Sequence, residues 1–128
     1  MILIAGGTED FETKEAKILS NYFDEKGLVY EYIKQANKFE YRDIEAQIEK
    51  CDIFLALNGS ELDASTWLLH CLFYAHMLAK TKGAGKPKLL SLNIENYSPI
   101  HYIESFQESK DIEIFTTINE LELSAYFR

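Results

Sequence analysis

The sequence predicts an α/β protein: a three-layer, five-stranded, mainly parallel sheet with helices on both faces, of the flavodoxin or Rossmann-like kind. Three observations predict it. Short apolar runs alternate with helical segments along nearly the whole chain, the pattern of strands joined by helical crossovers. The run DIFLAL, residues 52–57, is apolar on both faces beyond its first residue, as a strand covered from both sides must be. Small or polar loops follow the first and third strands, where open sheets of this kind bind ligands beyond the carboxyl ends of their strands.

The elements follow in order. Residues 1–5 are a short apolar strand stopped by Gly6 and Gly7. Residues 11–26 have helical spacing, with Phe11, Ala16, Ile18, Leu19, Tyr22 and Phe23 on one broad face and Gly27 placed to end the helix in a left-handed turn. Residues 28–33 (LVYEYI) suit a pleated surface and form the second strand. A short amphipathic helix over 41–50 rests on Ile44 and Ile48, and the third strand over 52–57 follows. A long helix spans about 65–80, closed by the KGAGKP loop. A strand over 88–94, a short helix over 100–108, a strand over 111–115 and a closing helix over 118–127 complete the chain. No repeat, low-complexity tract or linker interrupts it, so its 128 residues read as one domain.

Composition narrows the function classes. Apolar residues make up 47% and charged residues 27%, ordinary for a globular protein. The net charge of -8 is spread along the chain, which argues against a nucleic acid polymer as partner, since that needs a clustered basic surface. A small anion held by backbone amides stays compatible with it. Cys51 and Cys71 match no zinc spacing and read as buried free thiols. The apolar start is too short for a signal segment, and residues 67–79 are too few for a bilayer span and carry His70 and His76. The expectation is a cytoplasmic protein with no membrane partner, and no motif asks for a metal or a cofactor.

Two loops carry the site. Gly6, Gly7 and Thr8 allow close backbone approach and add a hydroxyl, and the helix after them can present amides to an anion; as a plain turn they need only Thr8 or Asp10 as a cap. In the second loop Asp63 or Ser65 can cap the long helix, leaving hydroxyls and carboxylates to hold a sugar. Thr66, His70 and Tyr74 recur at steps of four and share one helix stripe, a polar stripe that needs partners. His70 has a suitable ordinary pKa for acid–base work, but no second residue forms a triad with it, and a hydrogen-bonded structural histidine is the commoner role. A metal pair of His70 with His76 lacks the spacing that puts two ligands on one face. A phosphoacceptor receiver domain shares this element order, but it needs an aspartate at the end of strand three, which here closes on Leu57 and Asn58.

Three stretches resemble the nucleoside 2-deoxyribosyltransferase-like families and, more distantly, the TIR-type NAD-cleaving domains. ILIAGG is similar to their first strand and glycine turn; RDIEAQIEKCDIFLALN to their helix running into a hydrophobic strand; LDASTWLLHCLFYAHMLAKTKGAGKPKLLSL to their loop, helix and entry to the next strand. The match covers the first three-quarters of the chain. In those families a glutamate on the third helix is central to glycosidic chemistry. Counting from Ala75, and independently from Trp67, brings its position to Cys71, and a one-residue shift brings in His70; neither supplies a carboxylate for an oxocarbenium-like centre. Asp63 matches the loop acid that contacts the sugar.

The first expectation is therefore a catalytically inactive protein that binds a nucleoside or nucleotide through Gly6, Gly7, Thr8, Asn58, Asp63, Ser65, Thr66 and Tyr74. A dimeric interaction protein is the second. An active N-glycosidic hydrolase or transferase, with Asp63, Glu61 or His70 doing the chemistry, is the third. A homodimer is expected because Trp67, Leu68, Leu72 and Tyr74 cannot all face one strand.

Overall fold

The computed structural model describes residues 1–7, 9–33, 41–59, 62, 65–81, 86–94, 101–122 and 125–127. Five strands, β1 (Ile2–Ala5), β2 (Tyr30–Ile33), β3 (Ile53–Asn58), β4 (Lys88–Asn93) and β5 (Glu113–Phe115), form one sheet in the order β2-β1-β3-β4-β5. Every neighbouring pair is parallel, so the expected mainly parallel sheet is parallel throughout. Helices α2 (Tyr41–Lys50), α3 (Thr66–Thr81) and α4 (His101–Glu108) cover one face, and α1 (Lys14–Lys26) and α5 (Ile118–Glu122) cover the other.

Alternation along each strand builds two cores. Leu3, Ala5, Phe54, Ala56 and Leu89 meet Leu68, Cys71, Leu72 and Ala75 of α3, with Ile44 and Ile48 of α2. Ile4, Leu55, Leu57, Leu90 and Leu92 meet Ala16, Leu19 and Phe23 of α1. β1, β3 and β4 are buried on both faces, which is why they read as continuous apolar runs.

Some boundaries differ from the sequence expectation. The first helix starts at Lys14 because Thr13 is extended (φ -70°, ψ 159°) and accepts from the Ala16 amide at 3.2 Å; a separate 3-10 turn occupies Asp10–Glu12. Thr13, not Thr8 or Asp10, is therefore the cap of α1. Ile18 faces outward at 40% exposure instead of joining the apolar face. The closing helix is two pieces, α5 and a 3-10 turn over Ala125–Phe127. Gly27 ends α1 at φ 69°, as its position implied. Thr13→Ala should cost about 1–2 kcal/mol in denaturant unfolding, because it removes a buried cap.

At the amino edge of the sheet, Asp52 accepts from the Met1 ammonium at 2.7 Å and from Lys86 Nζ at 2.8 Å. Lys86 first, and then the terminal ammonium, lower its pKa to about 2. A carboxylate whose folded pKa is depressed contributes stability above its unfolded pKa of about 3.9 and loses it as pH falls toward about 2. Asp52→Asn should lower stability at neutral pH slightly, since the pair is exposed to solvent, and flatten the acid limb of the stability–pH curve within that window by the same amount.

Candidate functional site

The strand order reverses between β1 and β3, so the carboxyl ends of these two strands flank the natural crevice of the sheet. Where they are described, the two loops expected to meet there do so, at Asp10 and Gly59. Asp10, only 1% exposed, accepts a hydrogen bond from the Gly7 amide at 2.9 Å through Oδ2. Its other oxygen lies against Gly59: a Cβ placed on that glycine would sit 2.5 Å from Asp10 Oδ1 and 2.8 Å from Ile94 Cδ1. Gly6 is confined as well, since a Cβ there would stand 3.1 Å from Phe11 Cε1 and 3.2 Å from Leu57 Cδ1. A buried carboxylate thus ties the first loop to the start of the second.

Beside it, Asn58 and Asn93 end β3 and β4 in register. The Asn58 side chain is fully buried and donates from Nδ2 to Asn93 Oδ1 at 2.9 Å. Backbone bonds hold the same corner, from Ile94 N to Asn58 O at 3.2 Å and from Gly59 N to Leu57 O at 3.2 Å. The corner thus gathers a buried carboxylate and the buried Asn58 amide behind glycine backbone and the partly exposed Asn93 amide, groups of the kind that bond hydroxyls and base edges.

The expected site residues divide into four groups. Gly6, Gly7 and Asn58 are buried at the crevice. Thr8, Glu61 and Asp63 lie outside the described residues. Ser65 and Thr66 open α3, where the Ser65 carbonyl accepts from Leu69 N at 3.1 Å, so Ser65 stands at the cap position.

His70 and Tyr74 share a stripe, as their spacing implied, and that stripe is engaged by α2. The His70 ring meets Tyr41 edge-on at 4.5 Å and stacks on Tyr74 at 6.1 Å. Its Nε2 is shielded from water, with Glu45 Oε2 3.8 Å away, beyond hydrogen-bond range. The Tyr74 hydroxyl donates to Glu49 Oε1 at 2.6 Å, a bond to a carboxylate that pushes its pKa up to about 12. Both side chains are thus engaged with α2. His76 faces elsewhere, on Asp111 at 3.0 Å and stacked on Phe106 at 3.9 Å.

Cys71 lies at 0% exposure between α3 and the sheet, where burial pushes its thiol up to about 12. Cys51 is buried at the entrance to β3 and is likewise pushed up to about 12 by burial. Both are free thiols.

Sequence reading missed Asp10 as a link between loops and missed Asn93 altogether. A signal for the second was present: β3 and β4 end alike, in LALN and LSLN, and parallel strands in register bring those two asparagines side by side. Among the described residues no His, Cys, Asp and Glu cluster of a kind that could hold a metal ion occurs, and no helix is long and apolar enough to cross a membrane.

No protein-family profile matches the chain, and no curated protein matches it. Among solved structures it is similar to CapF, in the crystal structure with the inhibitor 3-isopropenyl-tropolone, with a TM-score of 0.50 at 14% sequence identity. The likeness covers 89% of this chain and 29% of that chain, so this chain corresponds to less than a third of CapF. At that identity the likeness speaks for the α/β fold alone.

Proposed function

We propose that the chain is a single domain of the nucleoside 2-deoxyribosyltransferase-like kind that binds an uncharged nucleoside at the crevice between β1 and β3 without cleaving it. The observation that carries this is the buried Asp10 carboxylate beside the Asn58–Asn93 amide pair, at the reversal of strand order. Sugar hydroxyls donate to a carboxylate, and base edges pair with primary amides. A phosphate suits the corner less well. The Gly7 amide that would cradle it is already engaged by Asp10, and a second anion there would meet that carboxylate. In the register that the resemblance implies, the bond-breaking glutamate of those families falls on Cys71, which is sealed in the core.

The test is a thermal-shift panel of nucleosides, deoxynucleoside monophosphates, NAD and cyclic nucleotides, with chromatography for released base. A nucleoside should raise Tm more than its monophosphate, and no base should appear. Free base from the wild type, lost in Asp63→Ala or Glu61→Ala, would replace this reading with an N-glycosidic enzyme.

A second reading, a homodimer, is favoured by a specific surface, though not by the residues first expected. Leu68 and Leu72 are buried on the sheet, Trp67 packs against the same core, and Tyr74 faces α2. Among the described residues of α3 and α4, the large apolar side chains left outward are Phe73, Met77 and Tyr102, with the Phe73 and Tyr102 rings 4.9 Å apart. Sedimentation should show a dimer that Met77→Lys dissociates; a wild-type monomer at micromolar concentration would end this reading.

A further inference from the structure

A second cleft opens at the same edge of the sheet, on the α1 and α5 side. It has a volume of about 230 Å³ and is lined by Lys14, Glu15, Ile18 and Asn93 and by the run from Thr116 to Asn119. This is below the roughly 300–1,000 Å³ of sites for drug-sized ligands, so it suits a fragment such as a single sugar ring.

The polar groups around it are not equally available. The Thr116 amide and hydroxyl donate to the Glu120 carboxylate at 2.9 and 2.8 Å, and the Thr117 hydroxyl accepts from the Glu120 amide at 3.3 Å. Those hydroxyls serve the start of α5. Asn93 accepts from Asn58 through Oδ1, which leaves its NH2 group as a donor. Among the described residues neither Lys14 nor Glu15 is in an ion pair. The available set is a cation, an anion and two amides over the aliphatic side chains of Ile18 and Ile118. A phosphate would face Glu15 and nearby Glu120, and an ammonium would face Lys14. A hydroxyl both donates and accepts, and a ring bearing several can satisfy all four groups.

We propose that this cleft is a subsite for a neutral, hydroxyl-rich ligand of the sugar class, linked to the β1–β3 crevice through the Asn58–Asn93 hydrogen bond. It stands without the nucleoside reading of the crevice, because its lining apart from Asn93 belongs to other elements. The sugar can be a separate molecule or the ribose of a nucleoside that spans both places, and the chemistry is shared.

The experiment is an amide-detected NMR titration of the whole chain with D-ribose, with adenosine and with inorganic phosphate. Ribose should move the Asn93 and Asn119 side-chain amides saturably, and Asn119→Ala, an exposed change, should weaken that binding about five-fold, the worth of one hydrogen bond. Saturable movement of those amides by adenosine together with Gly6 and Gly59 would support the same chemistry and identify the ribose as part of one spanning ligand. Ribose moving the cleft while adenosine leaves Gly6 and Gly59 still would uphold this inference and count against the crevice reading. Adenosine moving only the crevice, with ribose inert, would overturn this inference alone. A response of the cleft to phosphate and to neither sugar compound would overturn it in favour of an anion site, and no response to any of the three would also overturn it.

Discussion

Cys71→Glu should cost about 3–5 kcal/mol at neutral pH and yield no glycosidic activity, because it places a carboxylate without a partner in the core. Restoring the acid that the resembling families carry is the obvious experiment from the sequence. The structure turns its expected result around. Cys71 is sealed between α3 and the sheet among Leu68, Leu72, Ala75, Phe54 and Ala56, and Glu45 already acts on it as a nearby negative charge. A glutamate there escapes desolvation only by holding its proton, so its folded pKa rises. The sign follows from that shift. Below the unfolded pKa of about 4.3 both states are neutral and the deficit is smallest; it grows as pH rises and levels off once the folded group ionises. Denaturant unfolding of Cys71→Glu and Cys71→Ala at pH 4 and pH 7 measures this. A glutamate variant as stable as wild type at pH 7 that releases base would show that the side chain reaches the crevice, and would overturn the assignment of this position to the core.

Gly59→Ala should destabilise the protein by about 1–3 kcal/mol through overpacking, a large effect for one methyl group. Three heavy atoms lie within 3 Å of the new Cβ: Asp10 Oδ1 at 2.5 Å and two carbons of Ile94 at 2.8 and 2.9 Å. Asp10 has little room to yield, since it is buried and bonded to the Gly7 amide. Ile94 is fully buried in the opposite core and begins where β4 ends. Ile94→Val in the same chain should recover part of the loss, because it removes the δ-carbon that the alanine meets, and the coupling is read from a double-mutant cycle. An alanine variant with unchanged stability would mean that the two loops do not approach each other this closely.

The sheet was legible because its physics is local. Apolar runs such as those of β1, β3 and β4 declare strands buried on both faces, and Ile44 with Ile48 declared α2 with the bounds the structure has, Tyr41–Lys50. The start of α1 was hidden because Phe11 continues the helical period while Thr13 breaks the backbone geometry. The role of Asp10 was hidden for a different reason. Its local partner, Gly7, lies three residues away, but what seals it is Gly59, brought there only by the pairing of β1 with β3. His70 and Tyr74 were placed on one stripe correctly, yet spacing within a helix does not say which neighbour that stripe meets, and here it is α2.

That pairing of β1 with β3 also decides when the corner exists. The two strands are parallel and separated along the chain by α1, β2 and α2, so their edges join only after a long loop closes, a slow and non-local event in folding. The Gly7 amide and the Asp10 carboxylate reach their native surroundings no earlier than the centre of the sheet. Hydrogen exchange at Gly7 should therefore report the opening of the whole molecule rather than the fraying of a surface loop. A ligand seated at this corner would act as a clasp on the entire fold, and its occupancy would be felt as resistance to unfolding at the far edge strands, where it touches nothing.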